Sequence, residues 1–145
     1  MIDCTAGDDP TRKAAFLAGA TENWLTVTAD AIVDADGSMS SGEAGLTTLR
    51  KTNPDLTAVF AWNDVIALGA HKAVRRLGLA IPDGLALVGF DGLDLGELID
   101  PPLTTVYLDK RRMGEVAVIQ AQQLLDGKDP DRALIPTELL IRSST

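Results

Sequence analysis

Two polar residues each follow an apolar run of strand length, and both could bind a ligand. Asn63 follows the run Thr57–Trp62, and Asp91 follows the run Leu85–Phe90. In an open α/β sheet, ligands bind beyond the carboxyl ends of the strands. An asparagine side chain donates and accepts hydrogen bonds, and an ionised aspartate accepts hydrogen bonds from two hydroxyl groups. The pair predicts a site for a polyhydroxylated ligand such as a sugar or a nucleoside.

A purely structural role is the alternative for both residues. Asn63 could cap the helix that follows it, and Asp91 could shape a turn with Gly92. Spacing alone leaves both interpretations open.

Motifs of the common α/β enzymes are absent from the sequence. It contains no G-x-G-x-x-G dinucleotide fingerprint, no G-x-x-x-x-G-K-[ST] phosphate loop and no G-x-S-x-G nucleophile elbow. His71 is the single histidine and Cys4 the single cysteine, so neither has the companions that a metal site needs. We therefore predict no catalytic residue, no metal site and no cofactor.

Apolar runs and amphipathic stretches alternate along the chain. Predicted strands cover Ile2–Thr5, Ala31–Val33, Thr57–Trp62, Leu85–Phe90, Thr104–Leu108 and Leu139–Arg142, and predicted helices cover Thr11–Asn23, Ser40–Lys51, Val65–Leu77, Leu95–Ile99 and Lys110–Asp126. This alternation predicts an α/β fold with a doubly wound, mostly parallel sheet and helices on both faces.

Composition narrows the class of protein. The 145 residues suit one domain, and the formal net charge of -8 disfavours contact with a phosphate backbone. No helix-turn-helix or zinc-finger spacing is present. No apolar run approaches the roughly 20 residues of a membrane span, and the start of the chain lacks a signal-peptide pattern. A cytoplasmic protein without membrane contact is the prediction.

The stretch Asn53–Val106 resembles the lactose-repressor (LacI/GalR) family of transcription regulators. Three motifs carry the resemblance: A-x-N-D-x-x-A-x-G at Ala61–Gly69, V-G-F-D at Val88–Asp91 and P-P-L-T-T-V at Pro101–Val106. The end of the chain, Pro136–Thr145, resembles the closing strand of that family.

The resemblance implies a place for this chain within a larger protein. Family members carry an N-terminal DNA-binding headpiece and two α/β lobes of the periplasmic-binding-protein-like (type I) fold, with an effector between the lobes. Residues 1–145 would then be the C-terminal part of the effector-binding domain. The helix over residues 110–126 would cross into the first lobe, and DNA would be contacted only through the headpiece.

The resemblance also assigns effector contacts to three residues. Asn63 and Asp91 match two effector-contacting positions of the family. Arg12 matches the family's ligand-contacting arginine, although Ala15 stands in place of the glycine that usually follows it.

Two further residues are candidates for the same site. The family's stacking aromatic falls near Gly37, so the neighbouring Trp62 either substitutes for it or packs in the core. Lys110 stands where the family often has an apolar or aromatic residue. Together with Arg12 it suggests an effector with a phosphate or carboxylate group, unless it belongs to a solvated helix start.

A homodimer is also implied by the resemblance. The helix Val65–Leu77 and the segment Leu93–Ile99 would lie at the family's two-fold interface, with Leu68, Ala70 and Leu95 as candidate contacts. We predict the effector-sensing and dimerisation part of a transcription regulator, without enzymatic activity. A sugar-binding receptor of the periplasmic type, which shares the two-lobed fold, is the alternative.

Overall fold

The structure, a computed structural model, describes residues 1–4 and 11–145. The strands are Ile2–Cys4 (β1), Val33–Ala35 (β2), Ala58–Phe60 (β3), Ala86–Asp91 (β4), Thr104–Leu108 (β5) and Thr137–Leu140 (β6). The α-helices are Thr11–Glu22 (α1), Met39–Thr52 (α2), Asp64–Arg76 (α3), Leu95–Leu98 (α4) and Lys110–Leu125 (α5).

The strands form two sheets that meet edge to edge. β1 pairs with β2 in parallel, and the second sheet has the order β3-β4-β5-β6, in which only the pair β5-β6 is antiparallel. A parallel bridge between Ile2 and Ala61 and a 2.9 Å hydrogen bond from the Trp62 N–H to the Ile2 carbonyl bring β1 beside β3. The combined order β2-β1-β3-β4-β5-β6 confirms the predicted doubly wound, mostly parallel sheet.

Helices cover both faces of this sheet, as predicted. Successive side chains of a strand point to opposite faces. On β1, Ile2 lies under α2, where a Cβ on Gly45 would be 3.1 Å from the Ile2 side chain. The next residue, Asp3, forms a 2.9 Å ion pair with Lys13 of α1. Helices α1 and α2 therefore lie on opposite sides of the strand.

The core lies between the sheet and the pair α2–α3. Its fully buried members are aliphatic: Ile2, Leu46, Leu49, Ile66, Val74, Leu85, Leu87 and Leu103. An aliphatic core is the expected outcome for a chain with only 4% aromatic residues.

Glycine allows α2 and α3 to pack with their backbones in contact. A Cβ on Gly69 would lie 1.9 Å from the Met39 carbonyl oxygen, and one on Gly42 would lie 2.2 Å from the Ile66 carbonyl oxygen. The glycine that ends the A-x-N-D-x-x-A-x-G motif is thus required by helix packing.

Two predicted strands are displaced along the sequence. The strand predicted at Ala31–Val33 lies at Val33–Ala35, because Ala35 is the residue that pairs with Cys4 and is buried beside it. The last strand was predicted at Leu139–Arg142 and lies at Thr137–Leu140, since antiparallel pairing with β5 sets its register.

Helix α5 packs least of all the long helices. None of its described residues is buried, and Val118 and Leu125 are 71% and 82% exposed. Helix α3, in contrast, buries nine residues. The apolar side chains of α5 are therefore open to solvent in this chain.

Candidate functional site

The candidate site lies at the carboxyl ends of β3 and β4. Trp62 and Asn63 follow β3 after one intervening residue, Ala61, and Asp91 is the last residue of β4. The strand order reverses between β1 and β3, and this is the place where doubly wound sheets bind ligands.

Arg12 reaches this edge from the first turn of α1. The carbon of its guanidinium group lies 4.2 Å from the centroid of the Trp62 ring and 3.7 Å from that of Phe90. It also donates a hydrogen bond to the Trp62 carbonyl oxygen. Both ring contacts are of the cation–π type, which holds the guanidinium beside the strand ends. The structure therefore brings together Arg12 and Trp62, which are 50 residues apart in the sequence.

Asn63 caps helix α3. Its backbone is extended, and its side-chain oxygen accepts a 2.8 Å hydrogen bond from the Ile66 N–H. The capping role that the sequence left open is thus present. Within residues 1–4 and 11–145, the amide nitrogen of the Asn63 side chain makes no hydrogen bond to the protein.

Asp91 is half-buried and has an unusual backbone. Its φ of 114° lies in a region that L-residues rarely adopt. Burial raises the pKa of the Asp91 carboxyl, and the charge of Asp64 raises it further, whereas the nearby cations Arg12 and Lys110 lower it. A carboxylate flanked by two cations remains able to accept hydroxyl hydrogen bonds.

Lys110 lies at the outer side of the site. Its ammonium group donates a hydrogen bond to the Asp91 carbonyl oxygen and lies 5.9 Å from the centroid of the Tyr107 ring. All five residues predicted for the effector site thus lie at one edge of the sheet or contact a residue there.

Two residues of this region were missed by sequence reasoning. The Phe90 ring contacts the Arg12 guanidinium. In the sequence, the feature that could have indicated this role is that Phe90 directly precedes Asp91. Asp64 is fully buried at the start of α3 and accepts a 2.7 Å hydrogen bond from the Leu93 N–H. Charged residues are almost never fully buried, and pattern alone gave no reason to expect it here.

The residues predicted for the dimer interface differ in exposure. Leu68 and Ala70 are 8% and 0% exposed, so the chain itself covers them. Leu95 is 55% exposed and has surface available for a partner.

Neither a metal cluster nor a membrane helix is present in the described part of the chain. Histidine, cysteine and carboxylate side chains of residues 1–4 and 11–145 do not gather in groups of three or more that could hold a metal ion. Over the same residues, no helix has both the length and the hydropathy that a membrane crossing requires.

Known proteins resemble the chain in sequence and in structure. Residues 5–145 match the periplasmic binding protein-like domain family. The ribose operon repressor of Halalkalibacterium halodurans is 37% identical over 119 residues, which are 81% of this chain and 36% of that protein.

Two solved structures extend the comparison to the fold. A complex of the transcriptional regulator CelR with cellobiose aligns with a TM-score of 0.88 at 26% identity, over 99% of this chain and 46% of that one. A sugar-binding LacI-family regulator from Escherichia coli, complexed with phosphate, aligns with a TM-score of 0.85 at 25% identity, over 99% and 54%.

The chain spans less than half the length of the ribose operon repressor and of CelR. The three proteins are transcription regulators, which agrees with the predicted class and favours it over a periplasmic receptor. The chain therefore belongs to the periplasmic binding protein-like domain family and corresponds to the effector-binding domain of LacI-family transcription regulators.

Proposed function

We propose that this chain is the effector-sensing part of a transcription repressor and that it binds a small molecule rich in hydroxyl groups, of the sugar or nucleoside class. The observation that carries this proposal is the position of Asn63 and Asp91 at the carboxyl ends of the neighbouring strands β3 and β4, with Arg12 against Trp62 and Phe90 and its charge acting on Asp91. The ionised Asp91 accepts hydrogen bonds from ligand hydroxyl groups, and the Asn63 amide donates one.

Trp62 has a supporting role in this proposal. Because the Arg12 guanidinium lies over its ring, at least one aromatic face is engaged by the protein itself. This contact favours packing, which holds Arg12 in place, over stacking on the ligand.

Arg12 and Lys110 bear on the charge of the effector. Both lie beside Asp91, where they could meet an anionic group of the ligand. Both also donate to backbone carbonyls, of Trp62 and Asp91 respectively, which supports the alternative that they brace the site. Comparison of D-ribose with ribose 5-phosphate decides between the two, because tighter binding of the phosphate requires a cation that contacts the ligand.

Ligand binding would act on DNA through the lobes of a longer protein. In this proposal α5 belongs to the other lobe, which agrees with its lack of buried residues, and DNA is bound by a headpiece outside residues 1–145. A ligand changes DNA affinity only by binding one arrangement of the lobes more tightly than the other.

The direct test is an NMR titration of the 145-residue chain with D-ribose, cellobiose and adenosine. One lobe supplies only part of the contacts, so weak binding is expected and NMR is suited to it. We expect saturable shifts at Asn63 and Asp91 with one of the compounds, and their loss in Asp91→Asn. Saturable shifts confined to residues far from β3 and β4 would contradict the proposed site.

A further inference from the structure

The motifs of the sequence meet around one buried carboxylate, that of Asp64. This residue belongs to the first motif and is 0% exposed. One carboxylate oxygen accepts a 2.6 Å hydrogen bond from the Thr105 hydroxyl, and the other accepts a 2.7 Å hydrogen bond from the Leu93 N–H. Thr105 belongs to P-P-L-T-T-V, so two motifs are joined directly.

The V-G-F-D motif contributes the space for this carboxylate. A Cβ on Gly89 would lie 2.1 Å from the Asp64 Oδ1 atom and 3.0 Å from the Leu103 side chain. Any residue other than glycine would displace the Asp64 side chain. All three motifs therefore depend on the same group.

The network ends on the backbone directly after Asp91. The Thr105 hydroxyl oxygen accepts a 3.2 Å hydrogen bond from the Gly92 N–H, while Asp64 accepts from the Leu93 N–H. The backbone amides of Gly92 and Leu93, the two residues after Asp91, are thus fixed by hydrogen bonds to buried side chains. A backbone with a φ of 114° is unfavourable for an aspartate and persists only where its surroundings fix it.

The charge of Asp64 is costly to bury. Within the described residues, none of the ion pairs includes Asp64. Its charge is stabilised by the N-terminal end of α3 and by hydrogen bonds from neutral donors. A buried carboxylate is tolerated only where hydrogen bonds compensate for the lost water, so the Leu93 amide and the Thr105 hydroxyl are held close to Asp64.

We propose that Asp64, together with Thr105, is a positioning residue that fixes the backbone of Asp91 and so directs the Asp91 carboxylate towards the ligand site. The hydrogen bonds of Asp64 and Thr105 are by themselves the support for a fixed Asp91 backbone. Only the last step, the benefit to ligand binding, rests on the proposed function.

The test compares three variants of the 145-residue chain. Thr105→Val keeps the side-chain shape and removes the hydroxyl that joins Asp64 to the Gly92 amide. Thr105→Ser keeps that hydroxyl and is the rescue. Thr104→Val is the matched control, because Thr104 is 2% exposed and its hydroxyl bonds to the Arg142 N–H, outside the network. If Thr105→Val does not fold, Asp64→Asn takes its place with the same expectation.

Amide hydrogen exchange and a carboxyl titration, both by NMR, are the readouts. In Thr105→Val we expect the Gly92 and Leu93 amides to exchange about tenfold faster relative to the amides of β4, since one hydrogen bond is worth about that factor. Loss of the hydrogen bond at Gly92 frees the backbone after Asp91 and exposes the Asp91 carboxyl, so the pKa of Asp91 should fall towards its ordinary value. Thr105→Ser should restore both, and Thr104→Val should change neither.

Unchanged exchange at Leu93 in Thr105→Val, or an equal effect of Thr104→Val, would overturn the proposal. Ligand affinity is measured separately, with D-ribose as the probe. We expect about tenfold weaker binding in Thr105→Val and wild-type affinity in Thr105→Ser. A wild-type chain that does not bind any of the compounds above would count against the proposed function, and the exchange result would still decide the role of Asp64.

Discussion

Asp91 illustrates, at the scale of one residue, how the proposed effector site differs from the rest of the fold. Its backbone lies in an unfavourable region, and burial raises the pKa of its carboxyl. Both features oppose folding at neutral pH. Strained backbones and perturbed pKa values gather at functional sites, where geometry is maintained at the expense of stability.

The first prediction concerns ligand affinity at Asp91. In a regulator that carries this domain, Asp91→Ala should weaken effector binding by about 2–5 kcal/mol, because ligand hydroxyl groups lose a charged acceptor. Asp91→Asn is the cleaner variant, since asparagine tolerates a positive φ better than alanine does. Calorimetry checks the affinity, and DNA binding without effector serves as the control. Unchanged affinity in a folded variant would assign Asp91 to the turn alone.

The second prediction concerns the pH dependence of stability. A carboxyl whose pKa is higher in the folded than in the unfolded protein destabilises the fold at pH values above both, and this penalty disappears below both. Asp91→Asn should therefore raise the Tm at neutral pH and leave it unchanged at about pH 3. Thermal unfolding at several pH values measures this, and a Tm gain that persists in acid would have another cause.

At the scale of the elements, the contact between α2 and α3 controls the fold. Both helices pack on the same face of the sheet, and α3 carries Asn63 and Asp64 at its start. The position of the site therefore depends on how closely these helices approach each other.

The third prediction tests that close approach. Gly69→Ala should destabilise the chain by about 1–3 kcal/mol, because the added Cβ meets the Met39 backbone and not a side chain that could move. Gly19→Ala is the control: it lies in α1 with no atom within 4 Å of an added Cβ, and should stabilise by about 0.5–1 kcal/mol. Urea unfolding measures both, and equal effects of the two substitutions would refute the packing argument.

At the scale of the whole molecule, the dimer predicted from the sequence and the exposed α5 both concern surfaces that one chain leaves uncovered. Leu95 is the exposed member of the predicted interface, and α5 has exposed apolar residues such as Val118 and Leu125. Contiguous exposed apolar surface marks sites of interaction or aggregation.

The fourth prediction concerns the dimer. Leu95→Lys should convert dimers of the chain into monomers, because a lysine would place a charge in an isologous interface twice. Leu134→Lys is the matched control, since Leu134 is 80% exposed and lies outside the predicted interface. Light scattering gives the mass, and an unchanged dimer mass in Leu95→Lys would place the interface elsewhere.

The fifth prediction concerns α5. Its amides should exchange faster than those of α3 in a dilute solution, because α5 buries none of its described residues and α3 buries nine. Leu125→Ser should reduce aggregation without lowering the free energy of unfolding, whereas Leu46→Ser should lower it strongly. Strong protection of α5 in a monomer would show that it packs on its own lobe.

The sequence by itself determined the features that depend on neighbouring residues. Alternating apolar runs and amphipathic stretches specified the α/β class, and the cap at Asn63 lies where the polar residue before α3 indicated. Asn63 and Asp91 could be placed at strand ends for the same reason. Strand length, helix periodicity and capping are local properties, so a pattern in the chain reveals them.

Only the tertiary structure decided which distant residues meet. The guanidinium of Arg12 contacts two rings from other parts of the chain, and the buried Asp64 carboxylate is hydrogen-bonded by Thr105 in β5. Leu68 and Ala70, two of the candidate dimer contacts, are buried within the chain itself. Such contacts follow from strand order, strand register and the closeness of α2 to α3, which are set by the packing of the whole core and leave no local pattern.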